Sequence, residues 1–415
     1  MGKLKVLGLV HGEFSSHTVR VLEIAKTLRE KGYDISFSGQ GNQMSNVEKQ
    51  GFRVVETRTV PGSEVLKGIE GKLFPVIFHR ENIEYFFKEE DELLRREKPD
   101  MIIRDSFREL AGIASKQYGI YDVSIQQANL SQHYHADFRP RNVPWPLSLL
   151  PEDKVIKVPF TDIPVLIRLG ELFFRRKMSR WLHDKVKSLG LELDKRCYEG
   201  VKADLILIPD SPLLFPFENT TDNYKFIGPM LISSDSDGVS WLEKFASENR
   251  KKIVTTSGST GMQDRTELFI DAFKNSDYAV AMHNNSRGLP EGFYGGNFNV
   301  GSVLSCADVF ITHGGIGSTY LGLVSGTPMI SIYSHFEQQA NAFQLKKLGV
   351  GIPMSCDKVS PENLIESVRC ILETPSYKEK AMNLSGKIRE ESVGSLELAV
   401  KYITKGYEEF CKQRK

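Results

Sequence analysis

The side chains best suited to chemistry form a glycine-rich turn at residues 312–319, directly after the short apolar run 309–311. Such a run is typical of a buried parallel strand, and the pattern after the turn predicts a helix. The turn holds three glycines together with His313, Ser318 and Thr319. Glycine lets backbone N–H groups approach a ligand closely, and the helix directs its positive end to the same place. The turn therefore predicts a binding site for a diphosphate.

A second polar group follows the next predicted strand, residues 329–332. His335, Glu337 and Gln338 come just after that strand ends. Ligands of open α/β sheets bind at the carboxyl ends of the strands, so these side chains should lie near the turn. A carboxylate beside an amide can hydrogen-bond sugar hydroxyls, which predicts a sugar subsite next to the diphosphate site.

The whole stretch resembles the donor-binding signature of the GT-B nucleotide-sugar glycosyltransferases. More narrowly, it is similar to the bacterial macrolide and natural-product enzymes and to the eukaryotic UDP-glycosyltransferases. The matching residues are His313-Gly314-Gly315, Gly317-Ser318-Thr319, Gly326-Thr327-Pro328, Glu337-Gln338 and Asn341-Ala342.

The resemblance implies an α/β fold with two doubly wound Rossmann-like domains (GT-B), a cleft between them, and a C-terminal helix that crosses back onto the first domain. It implies that Glu337 and Gln338 hold the sugar. A second Gly/Ser loop, after the predicted strand 252–256, matches the family through Gly258 and Ser259, and its amides should also face the donor. The residues that the resemblance assigns to the diphosphate are His313, Gly315, Gly317, Ser318 and Thr319.

His17 lies where the loop after the first predicted strand becomes a helix. Taken alone, a histidine there is a surface or helix-capping residue. The resemblance implies that it is the catalytic base, although Ser16 stands where the family usually has glycine. A hydroxyl nucleophile needs such a base, with a pKa near neutrality. His11 is closer to the strand end but precedes the family position.

Asp105 ends the predicted strand 99–105. An aspartate at this place is often a plain helix cap, and Ser106 could fill that role as well. The resemblance implies instead that Asp105 orients His17 and stabilises its protonated form.

The bulk composition describes an ordinary globular chain. At 415 residues it is too long for one core, and its net charge of +1 gives no general attraction to nucleic acid. The five cysteines are scattered, which argues against a disulfide framework and a structural zinc site. We find no pattern of a signal peptide or membrane span, so we expect a cytoplasmic protein.

We expect an acceptor-binding domain at residues 1–232, a donor-binding domain at 233–394, and a returning helix at 395–415. The polar segment 232–238 is the predicted linker.

The segment 154–187 carries nine basic and three acidic residues among apolar ones. Two interpretations stay open, namely a surface that contacts anionic lipid and a domain helix whose charged heads are solvated.

Two positions depart from the family pattern at the nucleoside end. Leu321 stands where a glutamate usually holds the ribose hydroxyls, and Asn299-Val300 stands where a Pro-Gln pair often lines the base. The diphosphate and sugar ends therefore match better than the nucleoside end.

The resemblance implies an inverting glycosyltransferase that moves a hexose from a UDP- or dTDP-linked donor to a hydroxyl of a small-molecule or lipid acceptor. The donor is a co-substrate, and neither a cofactor nor a metal is expected. Two alternatives stay open. One is a nucleotide-sugar 2-epimerase or hydrolase of the same fold, and the other is a non-catalytic nucleotide-sugar-binding subunit, which Leu321 favours.

Overall fold

The computed structural model describes residues 3–62, 80–131, 134–136, 138, 158–159, 181, 184–191, 203–217, 221–231, 239–256, 265–285 and 288–414. They form two compact units. The first contains the described residues up to Met230 together with 394–414, and the second contains those from Leu231 to Val393. The boundary predicted at residues 232–233 lies outside the described residues, as do Gly258 and Ser259.

The first unit is built on a seven-stranded parallel sheet, and a two-stranded antiparallel ribbon lies apart from it. The first five strands of the sheet are β1 (Lys5–Leu9), β2 (Asp34–Ser38), β3 (Arg53–Val55), β4 (Met101–Asp105) and β5 (Tyr121–Ile125). The ribbon consists of β6 (His135–Ala136) and β7 (Val158–Pro159). The last two strands of the sheet are β8 (Leu205–Ile208) and β9 (Tyr224–Phe226). The helices before residue 120 are α1 (Ser15–Glu30), α2 (Met44–Lys49), α3 (Arg80–Glu97) and α4 (Glu109–Tyr118).

The second unit is built on a six-stranded parallel sheet. Its strands are β10 (Lys251–Thr256), β11 (Tyr278–His283), β12 (Phe293–Gly296), β13 (Val309–Thr312), β14 (Met329–Tyr333) and β15 (Gly351–Ser355). Its helices are α5 (Leu242–Ser247), α6 (Thr266–Phe273), α7 (Val300–Leu304), α8 (Ile316–Ser325), α9 (Phe336–Leu348), α10 (Pro361–Glu373) and α11 (Ser376–Ser392), and the chain ends with α12 (Ser395–Gln413).

Both sheets reverse their strand order at one place. The order is β3-β2-β1-β4-β5-β8-β9 in the first unit and β12-β11-β10-β13-β14-β15 in the second. The chain therefore winds outward in one direction from β1 and β10 and returns on the other side at β4 and β13. Ligands of such sheets bind at this switch point, beyond the carboxyl ends of the strands. This topology confirms the predicted pair of doubly wound domains.

The last helix, α12, packs on the first unit. Ala399, Val400 and Ile403 are buried in the same core as Val21 and Leu28 of α1. Each fully buried Val or Ile contributes roughly 1.5–3 kcal/mol relative to exposure. The spacing of these residues along one helix face explains the contact, and it confirms that the helix returns to the first domain.

Candidate active site

His17 is held in a cluster of aromatic rings at the carboxyl end of β1. It lies in the first turn of α1 and is 9% exposed. Its imidazole stacks on Phe107 with ring centroids 4.5 Å apart, and Phe14 is the next ring at 5.8 Å. Phe107 follows the end of β4, so the neighbouring strands β1 and β4 supply the two sides of this stack.

Asp105 uses both carboxylate oxygens to hold backbone groups. The N–H of His11 donates to Oδ2 at 2.6 Å, and the N–H of Phe107 donates to Oδ1 at 2.7 Å. His17 Nδ1 lies 4.0 Å from Oδ1, which is longer than a hydrogen bond. Asp105 therefore acts on His17 through its charge and by fixing the two loops that carry the rings.

The pKa of His17 is lowered to about 4. The largest cause is burial of the imidazole, which disfavours the charged form, and Arg20 and His11 lower this pKa further. Asp105 opposes them, in the direction expected from the sequence, but its effect is smaller than that of burial. Near neutral pH the imidazole is thus unprotonated and can accept a proton.

A buried ion pair supports the loops around His17, and the sequence patterns did not identify it. Arg108 donates to both carboxylate oxygens of Glu90, at 2.6 and 2.7 Å. Its Nη1 also donates to the carbonyls of Val10, at 3.2 Å, and Ser38, at 3.0 Å. These carbonyls lie at the ends of β1 and β2, so Arg108 ties both strand ends to α3.

His11 is fixed differently from His17. Its Nε2 hydrogen-bonds the carbonyl of Val60 at 2.6 Å, and the residue is 1% exposed. The structure thus places His11 in the packing of the loop, with its Nε2 engaged by the backbone.

In the second unit, the turn after β13 has the backbone geometry of a ligand-binding loop. Gly314 has φ +82°, a conformation that L side chains rarely adopt, and its carbonyl accepts from Asn341 Nδ2 at 2.8 Å. Gly315 is the N-cap of α8, and a Cβ there would clash with His313 Nε2. The glycines therefore allow both the turn and the position of the imidazole.

The hydroxyls of the turn differ in what they bind. Ser318 Oγ donates to the carbonyl of Gly315 at 3.0 Å and accepts from Thr312 Oγ1 at 2.8 Å. Its proton is thus used within the turn, whereas Ser318 was expected to donate to a ligand. Thr319 is fully buried, and its Oγ1 has no hydrogen-bond partner among the residues described. Gly317 is exposed at the start of α8.

His313 resembles His17 in its electrostatics. It is half-buried, and its pKa is lowered to about 4. Loss of solvent around the imidazole is the largest cause, followed by electrostatic interactions with Arg265 and His335, which also lower this pKa. In the absence of an anion, His313 is therefore neutral near pH 7.

Glu337 and Gln338 lie in the first turn of α9, at the carboxyl end of β14. Glu337 is half-buried, and Gln338 is buried. Gln338 Oε1 accepts from the backbone N–H and from the hydroxyl of Ser334, both at 2.9 Å. This orientation fixes the amide and directs its nitrogen away from Ser334.

Comparison with known proteins indicates the enzyme class. Residues 305–406 match the family model for UDP-glucoronosyl and UDP-glucosyl transferase, and this span includes the turn after β13 and the start of α9. The chain is a glycosyltransferase with the GT-B fold, and its residues 305–406 are similar to the UDP-glycosyltransferases.

Relatives of this glycosyltransferase cover almost its whole length. A PGL/p-HBAD biosynthesis glycosyltransferase of Mycobacterium tuberculosis is 24% identical over 89% of this chain and 85% of its own. The solved glycosyltransferase of kitacinnamycin has a TM-score of 0.73 and 19% identity, and covers 98% of this chain and 100% of that one. A spinosyn rhamnosyltransferase solved with thymidine diphosphate has a TM-score of 0.67 and 13% identity, over 95% and 100% of the two chains.

The residues that depart from the family pattern, Asn299 and Leu321, have local structural roles in the glycosyltransferase. Asn299 caps α7, since its side chain accepts from the N–H of Ser302 at 3.2 Å. Leu321 is half-buried on α8, and its Cδ2 would contact a Cβ placed on Gly301 of α7 at 3.5 Å. Leu321 thus lies beside α7, at the position where the family pattern has a glutamate.

Most of the segment 154–187 lies outside the described residues. Trp181 packs on Phe87 with ring centroids 5.5 Å apart, and Val186 is buried in the same core. This end of the segment therefore belongs to the first unit, and contact of the rest with lipid stays a prediction.

Among the described helices, none is long and apolar enough to span a membrane. The same residues contain no group of three or more His, Cys, Asp or Glu that could hold a metal ion.

Proposed function

We propose that this glycosyltransferase moves a hexose from a UDP- or dTDP-linked donor to a hydroxyl of a small-molecule or lipid acceptor, with inversion at the anomeric carbon. The observation that supports it best is the turn at 312–319. It presents a glycine backbone, the imidazole of His313 and the buried hydroxyl of Thr319 at the positive end of α8.

On the donor side, the diphosphate would accept hydrogen bonds from the backbone of Gly315 and Gly317 and from His313 and Thr319. Ser318 would join them if its hydroxyl turned from the Gly315 carbonyl. Donors that are already in place when charge grows on the leaving group stabilise the transition state. Glu337 and the amide nitrogen of Gln338 would hold the sugar hydroxyls, and Gly258 and Ser259 stay proposed donor-binding residues.

On the acceptor side, His17 would act as the base through Nε2, because Nδ1 faces Asp105. The acceptor O–H loses its proton to His17 as its oxygen bonds to the anomeric carbon from the side opposite the diphosphate. The bond from that carbon to the phosphate oxygen breaks, and the nucleoside diphosphate leaves with the electron pair. The configuration at the anomeric carbon is thereby inverted, and the negative charge of Asp105 stabilises the imidazolium.

The proposal predicts acceptor-dependent release of a nucleoside diphosphate. A panel of UDP- and dTDP-hexoses should be incubated with and without hydroxyl acceptors, and release of UDP or dTDP measured. The positive end of α8 takes the place that a metal has in other transferases, so excess EDTA should leave the rate unchanged. Release that does not depend on an acceptor would favour hydrolysis. Loss of transfer in EDTA that Mg²⁺ restores would contradict the donor-site mechanism.

A further inference from the structure

Arg265 is a buried guanidinium at the carboxyl edge of the second sheet. It follows β10 as the N-cap residue of α6 and is 8% exposed. Within the described part of the chain, its side chain has neither an ion pair nor a hydrogen bond. A cation that is largely removed from water and has no partner is unfavourable, so such a residue calls for an explanation.

The position of Arg265 in its helix adds to this cost. Helix N-caps favour Ser, Thr, Asp and Asn, whose side chains accept from the first N–H groups, and an arginine can only donate. The positive end of the helix also repels a cation. Local structure therefore gives no reason for an arginine here, whereas an anionic ligand would satisfy both the guanidinium and the helix end.

The neighbours of Arg265 are groups that bind anions. Arg265 lies close enough to His313 to lower its pKa, and His335 does the same from the end of β14. The three residues follow β10, β13 and β14, which are adjacent strands. The pKa of Arg265 itself is lowered by burial, and the thiol of Cys356 is the one group that opposes this shift.

We propose that Arg265 is a donor-binding residue whose guanidinium pairs with the phosphate oxygens of the nucleotide diphosphate. The inference rests on the proposed function and adds a residue to it. Arginine suits this role because its planar donors can engage two phosphate oxygens at once. Binding would remove the cost of the unpaired charge, so part of the donor affinity would come from relief of that cost.

The first test compares ligands that differ only in their phosphates. Binding of UDP, dTDP, inorganic pyrophosphate, uridine and thymidine is measured by calorimetry for the wild type and for Arg265→Gln. We expect Arg265→Gln to weaken diphosphate and pyrophosphate binding by about 10-fold or more, and nucleoside binding by less than about twofold, because charge-assisted hydrogen bonds are lost only to the phosphates. Arg265→Lys should restore part of the affinity.

Lys274→Gln is the matched control. Lys274 follows the other end of α6, pairs with Asp271 at the surface, and gives the same change in net charge. Its variant should bind every ligand as the wild type does. Equal weakening by both variants, or equal loss of nucleoside and diphosphate affinity in Arg265→Gln, would overturn the inference. If the wild type bound no nucleoside diphosphate, the proposed function itself would fail.

A second measurement distinguishes ligand binding from a structural role. Without ligand, Arg265→Met should unfold at the same or a higher temperature than the wild type, since an unpaired buried charge is removed. With saturating UDP or dTDP, the wild type should gain more in melting temperature than the variant. A lower melting temperature of ligand-free Arg265→Met, with an unchanged gain from the nucleotide, would mean that Arg265 stabilises the fold only.

Discussion

At the scale of single residues, the environment of His17 sets the conditions for its proposed role. Burial lowers its pKa to about 4, and Asp105 is 4.0 Å away with both oxygens bound to backbone N–H groups. A neutral imidazole is the form that a base requires. Its low pKa also makes it a weak base, so the fixed geometry of the ring and the charge of Asp105 must favour proton transfer.

The pH dependence of the rate should report this pKa. The acid limb of kcat/KM should fall near pH 4, below the ordinary value of about 6.5 for histidine. Arg20→Met removes a positive charge and should move the limb to higher pH, whereas Asp105→Asn should move it lower. Circular dichroism at each pH separates this effect from unfolding. A limb near 6.5 that neither variant moves would contradict the assignment.

The sequence could predict the position of His17 in the first βα turn, because the apolar run, the loop and the helix periodicity are all local. It could not predict that Asp105 binds the N–H groups of His11 and Phe107. These contacts depend on how two loops meet at the sheet edge. Arg265 carried a signal that was overlooked, since a cation beside a helix start is unfavourable on its own.

At the scale of elements, the turn between β13 and α8 does most to define the proposed donor site. Its shape depends on Gly314 at φ +82°, and a Cβ there would lie 3.1 Å from the carbonyl oxygen of Gln338. The same turn is bound to α9 through Asn341. The turn proposed to bind the diphosphate and the helix proposed to bind the sugar are thus coupled through the side chain of Asn341.

Gly314→Ala should lower both the melting temperature and the affinity for the nucleoside diphosphate. The left-handed conformation costs an L residue roughly 1–2 kcal/mol, and the added methyl group presses on α9. Gly317→Ala is the comparison, since a Cβ at that position meets open space. It should keep or raise the melting temperature and weaken only ligand binding. Wild-type stability and affinity in Gly314→Ala would contradict the geometry of the turn.

At this scale the sequence predicted the fold well. Apolar strand runs followed by amphipathic helices imply parallel βαβ units, and right-handed crossovers restrict the strand order. The pattern did not reveal the bond between Arg108 and Glu90, which joins the loop before α4 to α3, because the partners are 18 residues apart on different elements. Nor did it reveal that Leu321 packs α8 on α7.

At the scale of the whole molecule, each unit holds a histidine of low pKa beside its own switch point, buried in the first unit and half-buried in the second. Such groups link folding to pH. The unfolded chain binds a proton on each of these histidines below about pH 6.5, and the folded chain does so only below about 4. The free energy of unfolding should therefore fall as the pH drops from 6.5 to 4.

The contribution of His17 to this pH dependence of the free energy of unfolding can be measured by comparison with His17→Gln. Between pH 6.5 and 4, the difference in the free energy of unfolding between the wild type and the variant should change by about 3 kcal/mol, in favour of the variant at low pH. Urea unfolding at a series of pH values measures it. A difference that is constant with pH would show that His17 is not buried in its neutral form.

The most direct test of the account is the rate of acceptor-dependent nucleoside diphosphate release by the wild type and by His17→Ala, with donor affinity measured on the same samples. Loss of the proposed base should lower the rate by about 10²–10⁴-fold and leave donor affinity near the wild-type value. His11→Ala serves as the comparison, because His11 is held by the carbonyl of Val60. Full activity of His17→Ala, together with loss of activity in His11→Ala, would contradict the account.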